Sequence, residues 1–216
     1  MSKKLYLASI ITLILSGCTL APLSEPHTAQ TLGNGNHEWT SSTGAGQGLF
    51  HQSISYTHGY SDNLDLGVLL EYQSLGPLIA LQGKYLLSDN AKNPLSLFFG
   101  AGFGAASPTT FVYLGPIKSF KISPSYELTL NTRVNVYHWD FDDVEDQEDG
   151  SELINDIINI GIDSVNGTYV YASVNASNTL WVNERFGVTL STTLLQFLGK
   201  VKGTTGKAAL KFHYNY

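Results

Sequence analysis

Cysteine is nearly absent from this 216-residue sequence: Cys18 stands by itself, so no internal disulfide can form. Charge is scarce as well. Asp, Glu, Lys and Arg supply 14% of the residues, against about 25% in an ordinary soluble domain. Basic residues are the scarcer kind, with 12 Lys and Arg against 18 Asp and Glu, for a formal charge of -6. Such a chain has no electrostatic attraction for a phosphate backbone, which excludes nucleic acid as a partner. Long apolar runs are missing too. The longest, Leu5 to Leu15, falls short of the roughly 20 residues a spanning helix needs. No amphipathic helix of convincing length and no obvious internal repeat can be picked out.

What is present is alternation. In Lys207 to Tyr216, the residues Ala208, Leu210, Phe212, Tyr214 and Tyr216 alternate with Ala209, Lys211, His213 and Asn215. A period of two places these sets on opposite faces of a strand. Leu49 to Tyr72 reads as a hairpin turning at Ser61-Asp62-Asn63. Its second arm sets Leu64, Leu66, Val68, Leu70 and Tyr72 against Asp65, Gly67, Leu69, Glu71 and Gln73. The style recurs in Ile79–Leu87, Leu95–Phe103, Tyr126–Val136, Thr168–Ala176 and Phe186–Leu194. Glycines on the polar face between Gly100 and Gly104 leave room for large side chains from neighbouring strands. Phe111 to Lys121 resists phasing, with Gly115-Pro116 inside it marking either a bulge or an interruption. A weak first strand around Glu38 to Gly44 brings the expected number to ten, with eight or twelve as alternatives. Leu153 to Val165 reads equally as a short helix or as strand.

The segment before this body has a different character. Lys3 and Lys4, the apolar core Leu5–Leu15, and Ser16-Gly17 form an export signal over residues 1–17. Loss of Lys3 and Lys4 on processing moves the formal charge from -6 to -8. Residues 18–36 carry Pro22, Pro26, Gly33 and Gly35 with little periodicity and read as a flexible tether. Residues 37–216 then form one folded domain. Leu15-Ser16-Gly17-Cys18 resembles a bacterial lipobox, and the resemblance implies that Cys18 is diacylated and becomes the mature N-terminus. Thr19 after it, by similarity to enterobacterial lipoproteins, implies sorting to the outer membrane.

Which face meets what decides the fold. The polar faces mix signs, with Asp65, Glu71 and Glu127 against Lys84, Arg133 and Lys211, and amides such as Gln82 and Asn131 between them. These groups can pair across a narrow lumen, whereas Lys or Arg facing lipid at midplane costs about 2–4 kcal/mol each. Tyr60, Tyr72, Tyr85, Tyr126, Tyr214, Tyr216, Trp139 and Trp181 fall near strand ends, where membrane girdles sit. The expectation is an all-β fold: an antiparallel up-and-down transmembrane β-barrel, its lumen filled by a polar network rather than opened as a wide pore. The stretches Tyr60–Gly67, Gly83-Lys84-Tyr85 and Gly100-Ala101-Gly102, with the lipobox and the terminal aromatic, resemble a small bacterial outer-membrane β-barrel lipoprotein.

Signals of chemistry are thin. The run Asp140 to Glu152 holds eight carboxylates, dense enough for Ca²⁺ but lacking EF-hand spacing, and reads as an extended loop. In a membrane barrel it is the main extracellular loop and the natural contact for an envelope or extracellular partner. His51 and Ser53, two apart on one strand face, resemble the base and nucleophile of outer-membrane lipid A deacylases. No carboxylate can be assigned beside them from sequence. His37, His58, His138 and His213 show no metal-ligand spacing, and neither a metal nor another cofactor is expected. The reading is a lipid-anchored, non-enzymatic envelope or surface-interaction protein whose non-protein partner is membrane lipid. The alternatives are an outer-membrane lipid-modifying enzyme using His51 and Ser53, and a lipocalin-like periplasmic lipid carrier.

Overall fold

The structure is a computed structural model that describes residues 21–46, 49–74, 76–104, 109–139, 167–198 and 203–216. The export signal, Cys18, the acidic run Asp140–Glu152 and Leu153–Val165 lie outside these residues. Ten strands follow in order: β1 (His37–Gly46), β2 (Leu49–Ser61), β3 (Leu64–Gln73), β4 (Gly76–Ser88), β5 (Leu95–Gly104), β6 (Thr109–Ser123), β7 (Tyr126–Trp139), β8 (Gly167–Trp181), β9 (Phe186–Leu198) and β10 (Gly203–Asn215). Each pairs antiparallel with its sequence neighbour, and β1 pairs with β10 to close the barrel. The seam runs from Glu38↔Asn215 to Ala45↔Ala208. Closure leaves no unpaired sheet edge.

The alternation resolves into an apolar outside and a polar inside. On β3, Leu66, Val68, Leu70 and Tyr72 are exposed, while Asp65, Leu69, Glu71 and Gln73 are buried. On β7, Leu130 and Val134 point outward, and Glu127, Thr129, Asn131, Arg133 and Asn135 inward. A lipocalin-like carrier requires the reverse arrangement, with an apolar lumen, so that alternative does not hold. The outward surface, with Leu81, Leu114, Leu190 and Leu194 each more than half exposed, finds its solvent in acyl chains. Tyr60, Tyr85, Tyr214 and Tyr216 ring one end of this band, while Phe50, Tyr72 and Phe103 mark the other. Trp181 departs from the girdle expectation. It turns inward, its ring 6.2 Å from that of His27.

β6 is continuous through Gly115-Pro116. Pro116 pairs with Leu97 on β5. Its missing N–H opens a gap in the ladder to β7, which passes from Leu114↔Val134 to Ile117↔Asn131 and resumes in the same register. The two ends of the barrel differ. At the terminus end, His37 N–H donates to the Tyr216 carbonyl at 3.0 Å, and the short connections 62–63, 89–94, 124–125 and 182–185 turn the chain. The longest connection, 140–166, leaves from the opposite end.

Candidate functional site

The tether expectation for residues 18–36 is overturned over the described part, because residues 21–32 run through the lumen. Ala21, Leu23, Glu25, His27 and Ala29 are all buried. A strap without regular structure can lie there only if its backbone polar groups find partners on the wall. Pro22 and Pro26 simplify this, since neither has an N–H to satisfy.

The chain enters at the terminus end. Gly33 and Gly35 both take φ of 80°, a left-handed bend that favours glycine. Gly59 faces them, and a Cβ on it would collide with the Gly33 carbonyl. Asp65 then accepts the Leu32 N–H at 3.0 and 3.1 Å, and Lys84 bridges Asp65 at 3.2 Å to the Gln30 carbonyl. Midway, Ser119 Oγ accepts the Ala29 N–H at 2.8 Å, Ser96 donates to the Ala29 carbonyl, and Thr28 donates to Glu127 at 2.6 Å. Higher up, Lys211 donates to the Glu25 carbonyl, and Arg133 meets the Glu25 carboxylate at 3.2 Å. The same guanidinium donates to the carbonyls of Pro22 and Ser24. Glu71 accepts the N–H groups of Leu23 and Ser24 at 2.6 and 2.8 Å. At the long-loop end, Tyr171 and Gln73 donate to the Ala21 carbonyl at 3.0 and 3.3 Å.

These contacts climb β3 from Asp65 to Gln73, nine residues of strand, or about 26 Å along its axis. The two ends of the lumen are therefore filled differently. Charged pairs hold the lower and middle levels, while Phe111, Tyr113, Tyr137, Tyr169, Tyr171 and Phe197, all buried, pack the upper part. Gly100 supports this packing, since a Cβ there would strike the Tyr113 phenol. Below the strap, a vestibule of about 860 Å³ opens at the terminus end between Trp181, Arg185, Tyr216, His27 and Glu38.

Of the residues assigned to the lumen from sequence, Asp65, Glu71, Lys84, Glu127, Arg133 and Lys211 are buried and each touches the strap. Gln82 lines a small cavity beside Lys84, Glu25 and His27. The strap's own Glu25 and His27 were missed, together with Glu38 and Lys207 on the wall. The sequence signal for Glu25 is a charge placed between Pro22 and Pro26 in an otherwise bland segment. His51 and Ser53 face the lumen. His51 Nε2 lies 3.2 Å from Ser42 Oγ rather than against Ser53, and register puts Glu71 opposite Ser53. Glu71 does supply the missing carboxylate, but its oxygens are engaged by Leu23, Ser24 and Gln73. No metal is expected from the spacing of the histidines, and the structure brings His27, Glu38 and His213 together in space. Spacing along the chain hides a cluster assembled from a strap and two seam strands.

No protein-family model matches the chain, and no curated protein sequence matches it. Solved structures do. An outer membrane channel from Pseudomonas putida F1 superposes with a TM-score of 0.53 at 9% identity, covering 89% of this chain and all of the other, 100%. The NanC porin gives a TM-score of 0.50 at 7% identity, covering 82% of this chain and 98% of its own. Identity this low shows shared fold: a small barrel of the outer-membrane type.

Proposed function

We propose that the chain is a lipid-anchored outer-membrane protein that acts without catalysis, as an envelope or surface-interaction module on a barrel stoppered by its own N-terminal segment. The observation that carries this reading is the strap of residues 21–32, bound at every level of the lumen. A channel like the porins it superposes on needs an open bore, and here the bore is filled. A lipid-modifying enzyme needs its nucleophile open to acyl chains, and Ser53 looks into the filled lumen.

The strap also gives the anchor a direction. Short turns of outer-membrane barrels face the periplasm and longer loops face outward. Ala21 lies at the long-loop end, beside Tyr171 and Gln73. On this reading the anchor and the acidic run Asp140–Glu152 together form the contact surface.

Two measurements test this. Labelling with palmitate should mark the intact chain and leave Cys18→Ala unlabelled; an unlabelled intact chain removes the anchor. In planar bilayers the purified chain should conduct little, and deletion of residues 22–31 should raise conductance at least tenfold. A wide conductance from the intact protein would favour the channel.

A further inference from the structure

We propose that His27, Glu38 and His213 form a binding site for one divalent transition-metal ion of the zinc type, tying the luminal strap to the seam of the barrel. The three come from three elements: the strap, β1 and β10. Glu38 and His213 are diagonal neighbours across the closing ladder, where His213 pairs with Thr40 and Glu38 with Asn215. One ligand atom from each residue lies within 4.8 Å of the other two. All three side chains are buried, at 4%, 5% and 1% exposure.

Their hydrogen bonding is incomplete in a revealing way. His27 Nε2 approaches Glu38 Oε1 at 3.1 Å, yet neither atom has a partner in hydrogen-bond geometry, and His213 Nδ1 has none either. Buried polar atoms are seldom left so. The His27–Glu38 contact accounts for one nitrogen at most and leaves His213 Nδ1 without a partner. A metal ion satisfies all three atoms at once.

The surroundings fix the donors in the manner of ligating histidines, whose second nitrogen is held by a neighbouring group. His213 Nε2 lies 2.7 Å from Thr189 Oγ1, and Thr189 lies 2.6 Å from Thr179. That bond leaves Nδ1 turned toward the strap. Thr129 donates to the His27 carbonyl at 2.8 Å, holding that residue's backbone. The imidazoles stack with centroids 3.6 Å apart and planes inclined by 26°, so one ring must turn about its side-chain bonds for both nitrogens to point at one ion.

The donor set names the ion class. Two imidazoles and one carboxylate suit zinc with a position left for water. Calcium and magnesium ask for six or more oxygens, and a single carboxylate does not meet that. Charge permits it: Lys84 is matched by Asp65 and Arg133 by Glu25, while the nearby Lys211 ammonium is turned to the Glu25 carbonyl. Among the described residues, Glu38 has no lysine or arginine ion pair. The vestibule at the terminus end, walled in part by His27 and Glu38, gives an ion a way in.

Purified full-length protein in detergent, stripped with a chelator and titrated with zinc chloride, tests the site. Calorimetry should show one saturable ion per chain, weakened at least tenfold by His213→Ala and by Glu38→Gln. His58→Ala serves as the control. That ring stacks on His37 elsewhere at the terminus end, and its loss should leave binding unchanged. X-ray absorption at the zinc edge of the wild-type protein should report two imidazoles and oxygen ligands, a readout that needs no variant to fold. Absence of saturable binding, binding that survives His213→Ala, or binding abolished by His58→Ala would each overturn the assignment.

Discussion

β3 and the strap of residues 21–32 are of similar length and are buried side by side, on opposite principles. β3 follows a strict period of two, so each residue's face can be read from its position: Asp65 in, Leu66 out, Glu71 in, Tyr72 out. The strap follows no period. Ala21, Leu23, Glu25 and Ala29 lie among wall groups that match them one by one, and its bonds reach partners such as Glu71, Arg133 and Tyr171 far along the chain. A wall is specified by pattern and a stopper by complementarity.

The sharpest way to break the comparison is to substitute neighbours on one strand. Arg133 faces in and Val134 faces out, halfway along β7. Arg133→Ala strands the Glu25 carboxylate in a site with 2% side-chain exposure and removes donors from Pro22 and Ser24. The expected cost is about 3–5 kcal/mol, read as a lower guanidinium midpoint and as new protease cleavage within residues 21–32. Val134→Arg leaves the strap untouched and sets a cation against lipid, at about 2–4 kcal/mol near midplane. Its deficit should show in folding into liposomes, with the strap still protected from protease. If both variants expose the strap equally, wall and stopper are not separate constructions.

Smaller changes sharpen the point. Gly59→Ala forces a methyl against the Gly33 carbonyl. It should cost about 1–3 kcal/mol as overpacking, with hydrogen exchange rising first at residues 32–36. Ser119→Ala leaves the Ala29 N–H without its acceptor, at about 1 kcal/mol. Denaturant titration should detect it as a slight shift in midpoint.

The sequence discloses the wall because outward and inward residues differ in kind. Leu66, Val68 and Leu70 need no context to be told from Asp65 and Glu71. Even β6, where Gly115-Pro116 has the look of a turn, fits once Pro116 is seen to fall at a gap in the ladder. The strap stayed hidden for a physical reason. Pro22, Pro26, Gly33 and Gly35 suit an unattached linker and an extended luminal segment equally well, and only three-dimensional contacts separate them. The cluster of His27, Glu38 and His213 was hidden likewise, since β1 and β10 meet only when the barrel closes.

Site-directed spin labels in liposomes test the central claim most directly. A label at Val68 should collide with oxygen dissolved in the acyl chains and not with a water-soluble nickel chelate. A label at Ala29 should be immobile and reached by neither. A mobile, nickel-accessible label at Ala29 would mean that the segment hangs in water as a tether. A nickel-accessible label at Val68 would mean that the apolar face does not meet lipid.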